Sequence, residues 1–438
     1  MNYRQAVQFL HSLSVIERGG PPNLKRLQAL LDILGNPERA IPRYLHVAGT
    51  SGKGSVCSYL HSIWSAAGQK TGLFLSPYIT DIRERWQINH TKISPIDFIN
   101  LVQQIKNALE IYLKGGKAES LSAFEIFTAM SFVYFAQKKV DCAVLEVGMG
   151  GKNDPTNIIK YKDAAIITDI GFDHTKYLGE TITEIAQHKA GIITENTPVF
   201  TITTNKQAYT IIKKISTQKK VCLTQSKLSA TEKKAIFISE TGTRFKYRNN
   251  NYVIKAPGIH QVRNAILAID VATHFGISNA NIKNGLHAAT QPIRCELVQR
   301  KPYIILDGAH NQQKISSTVE TIKILQKKIP RRKIHLVLGF SGDKKTGPMI
   351  KKLLTLKPTS VACTKNTSNL FRKTLNPGAM LRLVKHHWPP ARTELFLNPT
   401  EALAWSKKQA GKHDLILITG SIFLSGELRP YLIKNTHN

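Results

Sequence analysis

The sequence has 438 residues, which is long enough for two or three domains and too long for a single hydrophobic core. Hydrophobic residues make up 42% of it and the mean hydropathy is −0.19, as in ordinary globular proteins. No stretch approaches the roughly 20 apolar residues that cross a bilayer, and the N-terminus lacks the apolar core of a signal peptide. These features argue against a membrane protein and predict a cytoplasmic location.

The net charge of +32 comes from 61 Lys and Arg residues against 29 Asp and Glu residues. The lysine doublets are scattered along the chain, which favours a solvated basic surface. The same charge could attract polyanions such as nucleotides, polycarboxylates or nucleic acid. The sequence has no basic arm, aromatic-interleaved basic patch or zinc-finger spacing, so no nucleic-acid partner is expected.

The cysteines are odd in number and far apart, and none lies in a CxxC pair. We therefore expect reduced thiols, most of them acting as small apolar residues. They are Cys57, Cys142, Cys222, Cys295 and Cys363.

Short apolar runs alternate with longer helical patterns, which is typical of parallel α/β architecture. The stretch SPIDFINLVQQIKNALEIYL has helical spacing, with Ser94 as its N-cap and Pro95 at its first position. The predicted strands in the first two-thirds of the chain are YLHVAG, TGLFLS, CAVLEVG, AAIITDI and PVFTI.

Two prolines in QPIRCELVQRKP interrupt this rhythm, and a second α/β series follows. Its predicted strands are YIILDGAHN, KIHLVLGF, SVACTK, TELFLN and DLILITGS, each except the last followed by a helix. We therefore predict an α/β fold with two domains. Residues 1–294 would form a P-loop ATPase-type domain with a parallel-rich sheet, and residues 295–438 a smaller Rossmann-like domain.

A glycine-rich turn joins the first strand to a helix and has the composition of a phosphate loop. Glycines let backbone N–H groups converge on phosphate oxygens, and the helix N-terminus adds positive charge. Lys53 would reach the β- and γ-phosphates, although a glycine separates it from Ser55, unlike the usual Gly-Lys-Ser/Thr order. The loop reads Gly49, Thr50, Ser51, Gly52, Lys53, Gly54 and Ser55.

Acidic and histidine residues follow the next strands, where a parallel sheet places ligand contacts. Glu146 ends one strand, and Asp169, Asp173 and His174 follow another. The carboxylate oxygens of the acidic residues suit a divalent cation bound with a nucleotide, although Glu146 could instead pair with a lysine and His174 could be structural. Lys189 lies between a predicted helix and a turn. It is a further candidate for this site, and the alternative is an ordinary solvated lysine.

In the second series, the segment 307–311 (DGAHN) and the segment 419–421 (TGS) also follow strands, and both are candidate ligand contacts.

Eight motifs in order resemble the folylpolyglutamate synthase and dihydrofolate synthase family, which is related to the Mur ligases. The resemblance covers about residues 20–430. The motifs are HVAGTSGKGS, LSPY…RERWQIN, EVGMGGKNDPTN, ITDIGFDHTKYLG…HKAGII, GIHQVRNA, PIRCE, LDGAHN and ITGSIFLSGELR.

The resemblance implies ATP-dependent ligation of L-glutamate to dihydropteroate or a reduced folate through an acyl phosphate, with Mg2+ as a cofactor, two ions being expected. It implies catalytic roles for Lys53, Lys189 and His310, with Lys189 carbamylated as a ligand of a second metal. The implied metal ligands are Ser76, Glu146 and His174.

For the nucleotide, the resemblance adds Asn264, Arg294 and Asp307 to the phosphate loop. His310 and Ser421 match the glutamate end, and members of the family are commonly monomers. The substrate-side candidates are Phe124, Glu125, Asp154, His310 and Ser421.

The chain departs from the family pattern at several positions, more on the substrate side than on the ATP side. Ser51 stands where asparagine is usual, Lys152 where arginine is usual, and Ile293 where glycine is usual. The pteridine-side segment reads Ser-Ala-Phe-Glu over 122–125, and Asn-Asp-Pro over 153–155 replaces Leu-Asp-Ala.

Several readings therefore stay open. The enzyme could make dihydrofolate, extend reduced folates, or do both, and the segment ERGGPPNLKRLQALLDILGNP favours both. The alternatives are a Mur-type ligase with another carboxylate acceptor, a nucleic-acid-associated P-loop ATPase and an inactive binding protein.

Overall fold

The computed structural model describes residues 1–15, 23–114, 120–328, 332–342, 346–368 and 373–434. Residues 17–22, part of the N-terminal segment that resembles bifunctional relatives, lie outside the described residues. The chain forms two compact units: Met1–Leu228 with Arg263–Ala289, and Ser229–Val262 with Thr290–Asn438. The predicted division at residues 294 and 295 stays a prediction.

The strands are numbered in chain order. They are β1 Tyr44–Ala48, β2 Thr71–Phe74, β3 Trp86–Ile88, β4 Thr91–Lys92, β5 Cys142–Glu146, β6 Ala164–Ile167, β7 Val199–Thr201, β8 Leu223–Gln225, β9 Phe237–Ser239, β10 Gly242–Tyr247, β11 Asn250–Ile254, β12 Glu296–Arg300, β13 Tyr303–Leu306, β14 Ile334–Leu338, β15 Ser360–Cys363, β16 Arg392–Leu395 and β17 Leu415–Thr419.

The α-helices are numbered in the same way, and none of those in the described part of the chain has the length and apolarity to cross a membrane. They are α1 Tyr3–Val15, α2 Leu24–Ile33, α3 Lys53–Ala66, α4 Pro95–Lys114, α5 Ala123–Gln137, α6 Thr175–Leu178, α7 Ile182–Ala190, α8 Lys206–Gln218, α9 Ala230–Lys234, α10 Ile259–His274, α11 Asn279–Ala288, α12 Gln312–Lys328, α13 Thr346–Leu354, α14 Pro377–His387, α15 Pro399–Gln409 and α16 Ile422–Lys434.

The first unit contains an eight-stranded sheet in the order β4-β3-β2-β5-β1-β6-β7-β8. Its strands from β2 to β8 in this order run parallel, and β3 and β4 form an antiparallel edge. Strands β1 and β5 are buried along their whole length, as expected for a parallel sheet covered on both faces. The predicted parallel-rich sheet is confirmed.

The position of β1 decides where the phosphate loop lies. Val47 in β1 is in register with Glu146 in β5, and Ala48 is in register with Ile167 in β6. The turn that follows β1 therefore emerges between the carboxyl ends of β5 and β6. Parallel α/β sheets bind ligands at such a position.

The second unit contains a six-stranded sheet in the order β12-β13-β17-β14-β15-β16, parallel except for β12. The predicted Rossmann-like sheet is confirmed. Two features differ from the expectation. Strand β17 is followed by α16, although no helix was expected there. Strands β9, β10 and β11 form a separate antiparallel sheet, and their short, polar alternation gave no prediction.

Candidate active site

The phosphate loop needs its glycines because of backbone conformation and space. Gly49 has φ 139° and Gly52 has φ 95°, both in the region that favours glycine. A Cβ at Gly49 would lie 1.9 Å from Thr168 Oγ1, and one at Gly52 would lie 2.3 Å from Asn264 Oδ1. The predicted nucleotide residue Asn264 is therefore beside the loop.

Residues after β6 shape this loop. The N–H of Thr50 donates to the carbonyl oxygen of Asp169 at 2.9 Å, and Ser51 N donates to the same oxygen at 3.3 Å. The Thr50 hydroxyl donates to Gly171 O at 2.9 Å. The Asp169 carboxylate pairs with Arg263 at 3.4 Å. Asp169 thus supports the loop through its backbone.

Two lysine ammonium groups converge on the start of the loop. Lys53 Nζ donates to Gly49 O at 3.2 Å, and Lys189 Nζ donates to the same oxygen at 2.9 Å. Lys189 is 4% exposed, so it is not the solvated lysine that the alternative reading describes. Two positive charges beside a glycine-rich helix N-terminus favour an anionic ligand.

Glu146 and Ser76 meet beside the first turn of α3. The Glu146 carboxylate is buried and accepts the N–H of Ser76 at 2.9 Å. Gly54 faces it closely, because a Cβ at Gly54 would lie 3.5 Å from Glu146 Oε2. The third predicted metal ligand, His174, precedes α6 and is 39% exposed, with Nε2 4.0 Å from Asp173 Oδ1.

The described residues contain no group of three or more His, Cys, Asp or Glu side chains that could hold a metal by themselves. The structure thus brings Ser76 and Glu146 together but provides no complete protein cage. Their hydroxyl and carboxylate oxygens suit Mg2+, which usually keeps several waters and takes few protein ligands.

Phe124 packs against the loop that follows Glu146, whereas the Glu125 side chain is buried inside the protein. The Phe124 ring occupies the space in front of Gly148, where a Cβ would lie 2.5 Å from it. Glu125 is fully buried, pairs with Arg26 at 3.2 Å and accepts the N–H of Ser122 at 2.7 Å. Glu125 therefore fixes the start of α5, which carries Phe124.

Asp154 is also buried and organises the loop after β5. Its Oδ2 accepts Met149 N at 2.8 Å, and its Oδ1 accepts the Thr156 hydroxyl at 2.5 Å. Burial raises the pKa of Asp154 to about 6. The Thr156 hydroxyl in turn lies 2.8 Å from Nε2 of the buried His46 in β1. Sequence reasoning did not select His46 or Thr156.

In the second unit, three predicted residues lie close together: Asp307 and His310 follow β13, and Arg294 precedes β12. The Asp307 carboxylate accepts Cys295 N at 3.0 Å and the Thr318 hydroxyl at 2.7 Å. Gly308 allows Arg294 to approach, since a Cβ there would lie 3.0 Å from Arg294 Nη1. The His310 ring nitrogen Nδ1 lies 2.8 Å from Gly308 O.

Ser421 follows β17, which neighbours β13 in the sheet, and its hydroxyl accepts Phe423 N at 3.1 Å at the start of α16. Arg294 also lines a cavity of about 580 Å³ that includes Lys255 and the Glu296–Arg429 ion pair.

Sequence reasoning also missed Arg85, which precedes β3 and lies close enough to Glu146 for that carboxylate to raise its pKa, against a larger lowering by burial. In the sequence, Arg85 and Arg83 both belong to RERW, and nothing in that pattern distinguishes a buried arginine from an exposed one.

Comparison with known proteins agrees with this architecture. The family model of the Mur ligase middle domain matches residues 47–272, and that of the Mur ligase glutamate ligase domain matches residues 293–422. The chain is 32% identical to the dihydrofolate synthase/folylpolyglutamate synthase of Bacillus subtilis (strain 168) over 446 residues, covering 98% of this chain and 99% of the relative.

Two further similar proteins are also named folylpolyglutamate synthase. Folylpolyglutamate synthase of Lacticaseibacillus casei is 34% identical over 365 residues, 81% of this chain and 83% of that one. The structure of Mycobacterium tuberculosis folylpolyglutamate synthase complexed with ADP and AMPPCP superposes with a TM-score of 0.86 at 28% identity, covering 98% and 99% of the two chains. The chain therefore belongs to the folylpolyglutamate synthase and dihydrofolate synthase family of ATP-dependent Mur-type ligases.

Proposed function

We propose that this protein joins the amine of L-glutamate to the carboxylate of dihydropteroate or a reduced folate, using ATP and releasing ADP and phosphate. The convergence of Lys53 and Lys189 on Gly49 O, beside the Glu146 carboxylate, carries the proposal. It gives the strand end a phosphate loop, two cations and an oxygen ligand for a divalent ion. These are the parts that phosphoryl transfer requires.

The reaction needs activation of the acceptor, because a carboxylate is a poor electrophile. Its oxygen attacks the γ-phosphorus of ATP and forms an acyl phosphate, with ADP as the leaving group. The glutamate amine then attacks the acyl carbon, and the amide forms as phosphate leaves. Residues 49–55 would hold the triphosphate, while Lys53 and Lys189 stabilise its negative charge.

A divalent ion would be held by Ser76, Glu146 and His174. When bound, Mg2+ supplies positive charge to the transferring phosphoryl group. A second ion and a carbamylated Lys189 stay part of the proposal. As a free ammonium, Lys189 adds positive charge beside Gly49 O. In the carbamylated form it would instead offer an anionic oxygen to the second ion, and that positive charge would be absent.

The remaining assignments divide between nucleotide and substrates. Asn264, Arg294 and Asp307 would contact the nucleotide, and His310 and Ser421 the glutamate. Phe124 would form an apolar wall for the pteridine, a ring system that favours stacking contacts. Glu125 and Asp154 would act by holding α5 and the loop after β5, since both carboxylates are buried in protein hydrogen bonds. We further propose a cytoplasmic monomer in which residues 1–294 and 295–438 are the functional domains.

Phosphate release from ATP and Mg2+ tests the function, with glutamate and dihydropteroate each added or omitted. We expect release only when both are present, together with a dihydrofolate product detected by mass spectrometry. A requirement for glutamate plus tetrahydrofolate instead would restrict the protein to chain extension. Release stimulated by nucleic acid and indifferent to glutamate would establish the ATPase alternative and refute the ligase.

A further inference from the structure

Arg85 is a buried cation to which no carboxylate of the described residues is bound. Arg85 is 9% exposed. Burial lowers the pKa of its guanidinium to about 10, so the group stays charged at neutral pH. Within the described part of the chain, Nε has no hydrogen-bond partner, and Nη1 has only a long 3.5 Å contact to Leu75 O. The Glu146 carboxylate raises the pKa of Arg85 but forms no ion pair with it, and a buried charge without a direct partner is costly to the fold.

Two other arginines show how this chain usually compensates such a charge. Arg83, in the same turn, pairs with Asp81 at 2.6 Å. Arg26 is buried to a similar degree and binds both carboxylate oxygens of Glu125 at 3.2 Å. Arg85 instead lies over the rings of Phe127 and Tyr78, with its Cζ 4.7 and 5.4 Å from their centroids.

The surroundings of Arg85 connect it to the candidate active site. Its one hydrogen-bond acceptor among the described residues, Leu75, precedes Ser76, whose N–H binds Glu146. Phe127 lies one helical turn after Phe124 on α5, and the Phe124 ring packs against Phe74 at 5.8 Å. Arg85 thus lies among aromatic rings next to the proposed phosphoryl-transfer position.

We propose that Arg85 binds the carboxylate of the acceptor, the same group that is converted to the acyl phosphate, through the hydrogens of its guanidinium group. The assignment rests on the proposed function and adds a specificity-determining residue to it. A guanidinium presents two parallel donors to a carboxylate, which fixes the plane of the acceptor group as well as its charge. The flanking rings give the aryl part of the acceptor an apolar place.

A binding cycle tests this pairing. The ligands are dihydropteroate and an analogue in which hydrogen replaces the carboxyl group, each titrated calorimetrically with saturating AMPPCP and Mg2+. The proteins are wild type, Arg85→Met and the control Arg83→Met. We expect Arg85→Met to weaken dihydropteroate binding about 10- to 100-fold and to leave binding of the analogue within about threefold. Arg83→Met should leave both unchanged.

Thermal unfolding separates binding from a structural role. Because Arg85→Met removes a buried charge that no carboxylate of the described residues binds directly, its melting temperature should equal or exceed that of wild type. Arg85→Lys, which keeps the charge without the forked donors, should show intermediate binding. Equal weakening of both ligands by Arg85→Met would overturn the assignment. Failure of wild type to bind either dihydropteroate or tetrahydrofolate would instead overturn the proposed function, and the role of Arg85 with it.

Discussion

Lys189, on α7, donates a hydrogen bond to the carbonyl oxygen of Gly49, the first residue of the phosphate loop, at 2.9 Å. The bond joins segments 140 residues apart in the chain. Lys189 is therefore a buried residue that supports the phosphate loop from α7, and not a surface residue.

Lys189→Met should lower ligase turnover by about 100-fold or more, because it removes one of the two cations at the loop. Turnover is measured by phosphate release at saturating substrates. Lys213→Met, on the exposed side of α8, is the matched control and should be unaffected. Equal turnover of Lys189→Met and wild type would contradict a catalytic role for this lysine.

The Arg26–Glu125 pair predicts a large and asymmetric effect on stability. Glu125→Ala leaves Arg26 buried without its carboxylate and should lower the free energy of unfolding by about 3–5 kcal/mol. The double variant Arg26→Met/Glu125→Leu should recover much of that loss. Urea unfolding provides the measurement, with Glu195→Gln in an exposed ion pair as a control that changes by less than about 1 kcal/mol. A small effect of Glu125→Ala would show that the pair is not structural.

Lys162 predicts a pH dependence of stability. Burial lowers its pKa from 10.5 to about 7 in the folded state, where its Nζ donates to Asn157 Oδ1 and Ile192 O. Between about pH 7 and pH 10 the unfolded chain therefore binds more protons at Lys162 than the folded chain does. The contribution of Lys162 to the free energy of unfolding consequently rises with pH across this window.

The free energy of unfolding of wild type, minus that of Lys162→Met, should increase from pH 7 to pH 10 in urea titrations. Lys160→Met, at an exposed position two residues earlier, should give a difference that does not change with pH. Parallel curves for wild type and Lys162→Met would show that Lys162 has an ordinary pKa in the folded protein.

Gly191 predicts a purely steric effect. A Cβ there would lie 2.4 Å from Lys152 Cβ, although its backbone has φ −63°, which alanine adopts readily. Gly191→Ala should therefore cost about 1–3 kcal/mol by forcing the loop after β5 away from α7. Gly347→Ala, where no atom of the described residues lies within 4 Å of the added Cβ, should be neutral or stabilising. Chemical unfolding of the two variants compares them directly, and equal stability would refute the packing argument.

Much of the fold follows from local patterns. The strand and turn around Gly49 and the acidic end of β5 at Glu146 are visible in the sequence, because buried parallel strands are continuous apolar runs and ligands lie at their carboxyl ends. Strands β9–β11 were missed because short strands with one exposed face have weak patterns. The partner of a polar side chain is harder still. The sequence suggests Glu125 and Asp154 as substrate contacts. Only the fold shows that the Glu125 carboxylate binds Arg26 and that the Asp154 carboxylate accepts the N–H of Met149.

The dependence of the phosphate loop on Asp169 and Lys189 has a consequence for synthesis of the protein. The loop sequence leaves the ribosome early, but its supporting hydrogen bonds come from residues made more than one hundred codons later. A nascent chain that ends before α7 would contain the phosphate-loop sequence but would lack the Lys189 hydrogen bond that supports its conformation. Nucleotide capture should thus arise abruptly during translation, after Lys189 has emerged, rather than with the motif itself.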